Sequence, residues 1–274
     1  MKKILVPTDF SKEAENALKV AAQLARKHGA EIYLLHMLEL PLHQVDALSG
    51  HSELPEAMFF MKLAHKKFEE TLEKDFLQDI VVHETVDFHE SITEIKNICP
   101  EKGIDMIIMG SHGASGFKEM FIGSNAEKVV RTSEVPVLVI KNEHSDFKIS
   151  NFVFASDFRK DSRETYKQAA KLADYFGATL HLVLVNTANS FLTTAEAKER
   201  MNEFIKDVPF ENYTVNIYND RSVESGILNF SHSINADLIG ISTHGRQGIA
   251  HFLNGSISED VVNHAKRPVI TFKI

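Results

Sequence analysis

Glycines recur after an apolar, strand-like run in the stretch MGSHGASGFKEMFIGSNAEKVV at residues 109–130. Gly110 and Gly113 lack a Cβ, so the backbone there can adopt a positive φ and approach a ligand closely. Successive N–H groups turned inward would form an anion-binding site. Gly123 and Ser124 then open a helix-like segment, with Ser124 as a suitable N-cap. Because a helix N-terminus also attracts anions, the stretch is compatible with a site for a chain of phosphates.

The same residues fit a purely structural interpretation. A glycine after a strand and a Gly-Ser pair before a helix are common turn and cap chemistry. The stretch also lacks the P-loop lysine pattern and the G-x-G-x-x-G pattern of dinucleotide-binding loops. Glycine spacing alone therefore leaves a phosphate loop and a structural turn about equally favoured.

An internal repeat places this stretch in a larger pattern. The later stretch ISTHGRQGIAHFLNGSISEDVV is an altered copy of it. The starts of the two halves match as well, KILVPTDFSKEAENALKVAAQLARKHGA with NFVFASDFRKDSRETYKQAAKLADYFGA, which aligns Asp9 with Asp157. The interval between matched residues shortens along the repeat, so the first half carries extra residues in its middle.

Each half alternates short apolar runs with helical patterns, which predicts parallel βαβ units covered on both faces. The fold class is therefore α/β, with two tandem doubly wound domains of five parallel strands each. We place them at residues 1–142 and 150–274, joined by a polar linker. Ser11 is expected to cap the first helix and Gly29 to end it. The run MFFMKLAHKKF at 58–68 is apolar at helical spacing and is expected to pack in the core, with a flexible Met-rich lid or partner surface as the alternative.

Composition narrows the class of function. The chain has 274 residues, 43% of them hydrophobic, with a formal net charge of −8. That charge argues against a nucleic-acid binder, since phosphate backbones require a clustered basic surface. No long apolar segment opens the chain or is long enough to span a membrane, so we expect a cytoplasmic protein without a membrane partner. The one cysteine, Cys99, is expected to be a buried structural residue.

The position of the glycine stretch favours a ligand site. In doubly wound sheets, ligands bind beyond the carboxyl ends of the strands, where the strand order reverses. The residues PTD at 7–9 end the first predicted strand, and Met37 ends the second. Met109 and Gly110 end the fourth, so all three groups are expected at the same edge.

These residues resemble the universal stress protein family. The resemblance rests on KILVPTDFS, on the LLHM strand end, on G-x2-G-x9-G-S at 110–124 and on the terminal strand VPVLVIK. It covers nearly all of both halves except the middle insertion and the linker, so the chain looks like a tandem member. Similarity to the nucleotide-binding branch implies an ATP site in the first half, with the adenosine beside Pro7, Thr8, Asp9 and Met37, and with the ribose and phosphates held by Met109, Gly110, Gly113, Gly123, Ser124 and Asn125.

The second half departs from this pattern. The matching positions are Asp157, Val185, Ser242, Gly245, Gly255 and Ser256. Ser242 stands where Gly110 stands, and its Cβ would block a close approach or forbid a positive φ. We therefore expect the better nucleotide site in the first half and a degenerate or altered one in the second.

The sequence favours a binding module over an enzyme. The loop contains no evident general base, and no carboxylate pair is arranged for metal-assisted hydrolysis, so we assign no catalytic or metal-ligating residue. ATP, alone or with Mg²⁺, is the expected ligand of a stress-response or signalling module read by an unidentified protein partner. A slow ATPase and a nucleotide-free scaffold are the alternatives. The resemblance implies that the terminal strands pair the two halves as an internal pseudo-dimer, and whole chains could also self-associate.

Overall fold

Strands and helices alternate through the first half of the chain, as the apolar runs predicted. The computed structural model describes residues 1–38, 54–87, 95–111, 122–243 and 257–274. The first half runs β1 (Lys3–Pro7), α1 (Lys12–His28), β2 (Glu31–Met37), α2 (Leu54–Leu72), β3 (Val82–Asp87), α3 (Ile95–Lys102), β4 (Met106–Gly110), α4 (Ser124–Thr132) and β5 (Val137–Ile140).

The second half repeats this order. It runs β6 (Asn151–Ala155), α5 (Arg163–Phe176), β7 (Thr179–Asn186), α6 (Thr194–Ile205), β8 (Tyr213–Asn219), α7 (Val223–Ser233), β9 (Leu238–Thr243), α8 (Ile257–His264) and β10 (Val269–Lys273). Short 3-10 turns at Asp75–Leu77, Lys160–Ser162 and Ala188–Ser190 supplement the helices.

The strands of the described residues form one sheet in the order β3-β2-β1-β4-β5-β10-β9-β6-β7-β8. Neighbouring strands within each half are parallel. The halves meet where β5 pairs antiparallel with β10, with Leu138 opposite Ile270. The predicted pair of doubly wound domains and their pseudo-dimer are thereby confirmed. The domain limits at 1–142 and 150–274 stay a prediction.

Helices cover both faces of the sheet. Side chains of α1, α2, α5 and α6 share one core with alternate strand residues, such as Phe152 and Phe272. Side chains of α3, α4, α7 and α8 share the other core, with Val139 and Val269. The strands read as nearly continuous apolar runs because both of their faces are buried.

The ends of α1 follow from its sequence. The Ser11 hydroxyl accepts the Ala14 N–H, as predicted for its N-cap. Gly29 ends the helix at φ 66°, a left-handed conformation that favours glycine.

The apolar face of α2 is only partly buried, which corrects the expectation that it packs in the core. Phe68 is fully buried. Met58, Phe59 and Leu63, however, are 56%, 63% and 45% exposed. Helical spacing gives the side of the helix on which a residue lies, but the length of helix that rests on the sheet depends on the tertiary structure.

Cys99 is confirmed as a buried residue of α3. Burial raises the pKa of its thiol to about 11, so the thiolate is disfavoured at neutral pH. This environment suits a small apolar side chain and not a reactive nucleophile.

A cluster of charges ties α1 to the segment after α2 and to the linker. Lys74 Nζ donates to Glu15 Oε2 at 2.5 Å, and Lys19 Nζ lies 3.3 Å from Glu15 Oε1. Lys19 also pairs with Glu143 in the linker. The hydrogen bond from Lys74 is the main cause that lowers the pKa of Glu15 from 4.5 to about 2.

This cluster predicts an acid-dependent loss of stability. Between about pH 4.5 and about pH 2 the unfolded state binds a proton at Glu15 that the folded state does not. Stability is therefore fully present above pH 4.5 and is lost as the pH falls through this window. Glu15→Gln should reduce the pH dependence of the urea midpoint there, and Lys74→Met should reduce it similarly. Wild-type pH dependence in both variants would contradict the assignment.

Candidate functional site

The turn after β1 is built by its own polar side chains. Thr8 Oγ1 accepts the Phe10 N–H at 2.9 Å, and Asp9 Oδ1 accepts the Ser11 N–H at 3.0 Å. These bonds accompany a φ of 62° at Phe10. A bulky residue rarely adopts this left-handed conformation, which costs free energy and is concentrated at functional sites.

The second half repeats this turn. Ser156 Oγ accepts the Phe158 N–H at 3.0 Å, and Asp157 Oδ1 accepts the Arg159 N–H at 3.1 Å. Phe158 has a φ of 56°. The replacement of Thr8 by Ser156 therefore preserves the hydroxyl that the turn requires.

His36 supports the first turn from the end of β2. Its Nδ1 donates to the Thr8 carbonyl oxygen at 2.8 Å, since that oxygen can only accept. Its ring also lies 4.7 Å from that of Phe10. The sequence analysis includes His36 in the LLHM strand end but assigns it no role. β2 lies beside β1, which leads into PTDF at residues 7–10, and this pairing of neighbouring strands could have indicated the contact.

Strand pairing brings the predicted adenosine and loop residues to one edge. β1 lies between β2 and β4, with Pro7 opposite Leu35 and Leu5 opposite Ile107. The carboxyl ends of all three strands therefore meet where the strand order reverses. Pro7, Thr8, Asp9, Met37, Met109 and Gly110 lie at this edge.

The two ends of the glycine loop are held together. The Ser111 N–H donates to the Ile140 carbonyl at 3.0 Å, and the Gly123 N–H donates to the Ser111 carbonyl at 2.7 Å. The described residues on either side of the loop, Ser111 and Gly123, thus lie together beside β5. Gly113 lies outside the described residues, as do Gly245, Gly255 and Ser256 of the second half.

Helix α4 begins one residue earlier than the sequence suggested. Ser124 is already helical, and Gly123 is the N-cap, with φ −62° and ψ 150°. Gly123 has no side chain that could accept an N–H of the first turn. Ser124 was therefore wrongly predicted as the N-cap, because a helical residue in the first turn cannot also be the residue that precedes it. Ser124 and Asn125 are exposed at the helix start.

Gly110 is required by packing. A Cβ at this residue would lie 2.8 Å from the carbonyl carbon and oxygen of Glu13, in the first turn of α1. Gly110 does not have a positive φ. The close approach that needs glycine here is thus the approach of α1 to the strand.

Ser242 occupies the matching position of the second half without a clash. Its hydroxyl hydrogen-bonds with that of Thr165 in α5 at 2.7 Å, and Thr165 Oγ1 donates to the Ser162 carbonyl. The chain before α5 forms a 3-10 turn at Lys160–Ser162, where the first half has a regular helical turn. Ser242 therefore faces the helix and gives no steric reason for the second half to reject a ligand.

The comparisons with known proteins agree with this architecture. The sequence model of the universal stress protein family matches residues 1–141 and 212–273. The chain belongs to the universal stress protein family. One matched range lies in each half, and the range in the second half contains strands β8 to β10.

Individual family members cover one half or the whole chain. Universal stress protein MJ0577 of Methanocaldococcus jannaschii is 36% identical over 157 residues, which cover 53% of this chain and 97% of that protein. Universal stress protein Slr1230 of Synechocystis sp. is 24% identical over the full length of both chains. The crystal structure of a universal stress protein from Archaeoglobus fulgidus is 25% identical, has a TM-score of 0.68, and covers 99% of this chain and 96% of that one.

Two further observations concern the described part of this universal stress protein. None of its helices there is long and apolar enough to cross a membrane. The same residues contain no group of three His, Cys, Asp or Glu side chains placed to hold a metal ion.

The Gly110 contact predicts that even a methyl group is costly there. Gly110→Ala should destabilise the protein by about 1–3 kcal/mol, because the new Cβ meets backbone atoms that cannot rotate away. Ser242→Ala is the matched control: it keeps a Cβ and loses one hydroxyl bond, so its cost should be about 1 kcal/mol. Urea unfolding followed by circular dichroism measures both. An unchanged urea midpoint for Gly110→Ala would contradict the proposed steric contact between residue 110 and Glu13.

Proposed function

We propose that the protein binds ATP, or a related adenine nucleotide, at the edge formed by β1, β2 and β4, and acts as a stress-response or signalling module. The observation that carries the proposal is the convergence of three features: the turn at residues 7–10, in which Phe10 has a positive φ, the hydrogen-bonded residues Ser111 and Gly123 that flank the glycine loop, and the start of α4. Membership of the universal stress protein family supports it, together with the resemblance of the first-half residues to the nucleotide-binding branch.

The adenosine would bind at the ends of β1 and β2. Asp9 is exposed, and its carboxylate can accept hydrogen bonds from ribose hydroxyls while Oδ1 also accepts the Ser11 N–H. Met37 is half-buried and packs against the core that contains α3 and α4. A polarizable, flexible thioether suits the face of an adenine ring.

The phosphates would bind between the glycine loop and α4. Gly123 at the N-cap, with Ser124 and Asn125 in the first turn, places the positive end of the helix dipole beside the loop. Gly113 would contribute its backbone to the proposed loop, which follows Met109 and Gly110 in the chain. Mg²⁺, where present, would be held largely by the phosphates themselves, as it usually keeps water and phosphate ligands.

The second half is proposed as a weaker or altered site. Its Asp157 turn reproduces the first turn, and Val185 replaces Met37 at the matching strand end. Ser242 does not obstruct it, so a difference in affinity is expected to come from Val185 and from the loop that contains Gly245, Gly255 and Ser256.

Asp9 and Asp157 provide a matched pair of test variants. Asn keeps the oxygen that accepts the turn N–H but removes the charge, so each turn should persist. Asp9→Asn should weaken ATP binding by about tenfold, the effect expected from a lost charged hydrogen bond. Asp157→Asn should leave this first site unchanged. Isothermal titration of ATP into the full chain measures affinity and stoichiometry; no binding by the wild-type protein would defeat the proposal.

The alternatives give different results in the same samples. A slow ATPase would release phosphate continuously from ATP, whereas a binding module would return ATP intact. A nucleotide-free scaffold would show neither binding nor a co-purified nucleotide by mass spectrometry. Gly113→Asp places a carboxylate in the proposed phosphate loop, where it would repel the phosphates and weaken ATP binding. Equal affinity in this variant would contradict a role of the loop in binding.

A further inference from the structure

A residue of the second half contacts the glycine loop of the first half. Asn263 lies in the last turn of α8, and its Oδ1 accepts the Ile122 N–H at 2.8 Å. Ile122 immediately precedes Gly123, the N-cap of α4, and is only 7% exposed. This hydrogen bond therefore connects α8 of the second half to the residues at which the loop of the proposed site ends and α4 begins.

The same residue is also held from the end of β5, the strand beside the loop. Lys141 Nζ donates to the Asn263 backbone carbonyl at 2.6 Å. Lys141 follows Ile140, whose own carbonyl accepts the Ser111 N–H at the other end of the loop. Asn263 is thus fixed relative to β5 while its side chain fixes Ile122.

The first half has a different side chain at the position that matches Asn263, and a guanidinium cannot accept a backbone N–H as an amide oxygen does. The residue of the first half that matches Asn263 in the repeat is Arg131. Its Nη1 lies 3.7 Å from Glu127 Oε1 on the same helix, α4. Arg131 therefore cannot accept a backbone N–H of the second half in the way that Asn263 accepts the Ile122 N–H of the first half.

We propose that Asn263 is a positioning residue for the nucleotide site of the first half. By accepting the Ile122 N–H it sets the end of the glycine loop and hence the direction in which α4 begins. A buried N–H that loses its partner carries a desolvation penalty, so the loop end would shift to recover a hydrogen bond. The inference rests on the proposed function, and it means that the first site is completed by the second half.

Variants of Asn263 in the full chain test this role. Asn263→Leu removes the acceptor while keeping the branching and the number of side-chain heavy atoms, and Asn263→Asp keeps the acceptor. We expect Leu to accelerate hydrogen exchange at the Ile122 amide at least tenfold and to weaken ATP binding about tenfold. Asp should restore both to near the wild-type values. A merely structural role for Asn263 would not distinguish Asp from Leu in this way.

His264 supplies the control on the same helix. Its Nδ1 contacts Glu224 in the second half, so His264→Ala perturbs α8 without removing the partner of Ile122. This variant should keep wild-type ATP affinity and Ile122 protection. Should Asn263→Leu fail to fold, Asn263→Ala carries the same comparison.

The outcomes separate the two proposals. If the wild-type protein binds no adenine nucleotide, the proposed function fails and the positioning role fails with it. If the wild-type protein binds ATP while Asn263→Leu binds it equally well, or Asp fails to rescue, only the role of Asn263 is overturned.

Discussion

The antiparallel pairing of β5 with β10 is the constraint on which the rest of the structure depends. Val137, Leu138 and Val139 lie opposite Thr271, Ile270 and Val269, and all six are nearly fully buried. The pairing removes two sheet edges that would otherwise expose unpaired backbone groups. It also makes each core continuous from one half to the other, as the shared membership of Val139 and Val269 shows.

This junction brings the helices of one half beside the loops of the other. The linker is held by the Gln23 side chain of α1, which accepts the Phe147 N–H and donates to the His144 carbonyl. On the side of α4, the last turn of α8 reaches Ile122 and Lys141. The second domain can thus support the proposed ligand loop of the first domain, because the shared sheet fixes the relative position of the two domains.

The two halves show which parts of the repeated unit tolerate change. The turn after the first strand keeps a hydroxyl, a carboxylate and a phenylalanine with positive φ in both halves, since each takes part in the same local geometry. The position of Gly110 and Ser242, in contrast, depends on how the next helix begins. A regular helical turn at Glu13 excludes a Cβ, whereas the 3-10 turn before α5 accompanies a serine that bonds to Thr165.

The sequence alone determined the parallel α/β class, the tandem repeat, the caps at Ser11 and Gly29 and the edge at which Asp9, Met37 and Gly110 meet. These features follow from local periodicity and from strand direction, which neighbouring residues largely specify. Only the tertiary structure decided that Gly110 faces Glu13, that much of the apolar face of α2 stays exposed and that Asn263 reaches Ile122. Each of these depends on contacts between elements distant in the chain, whose distances and directions no local pattern contains.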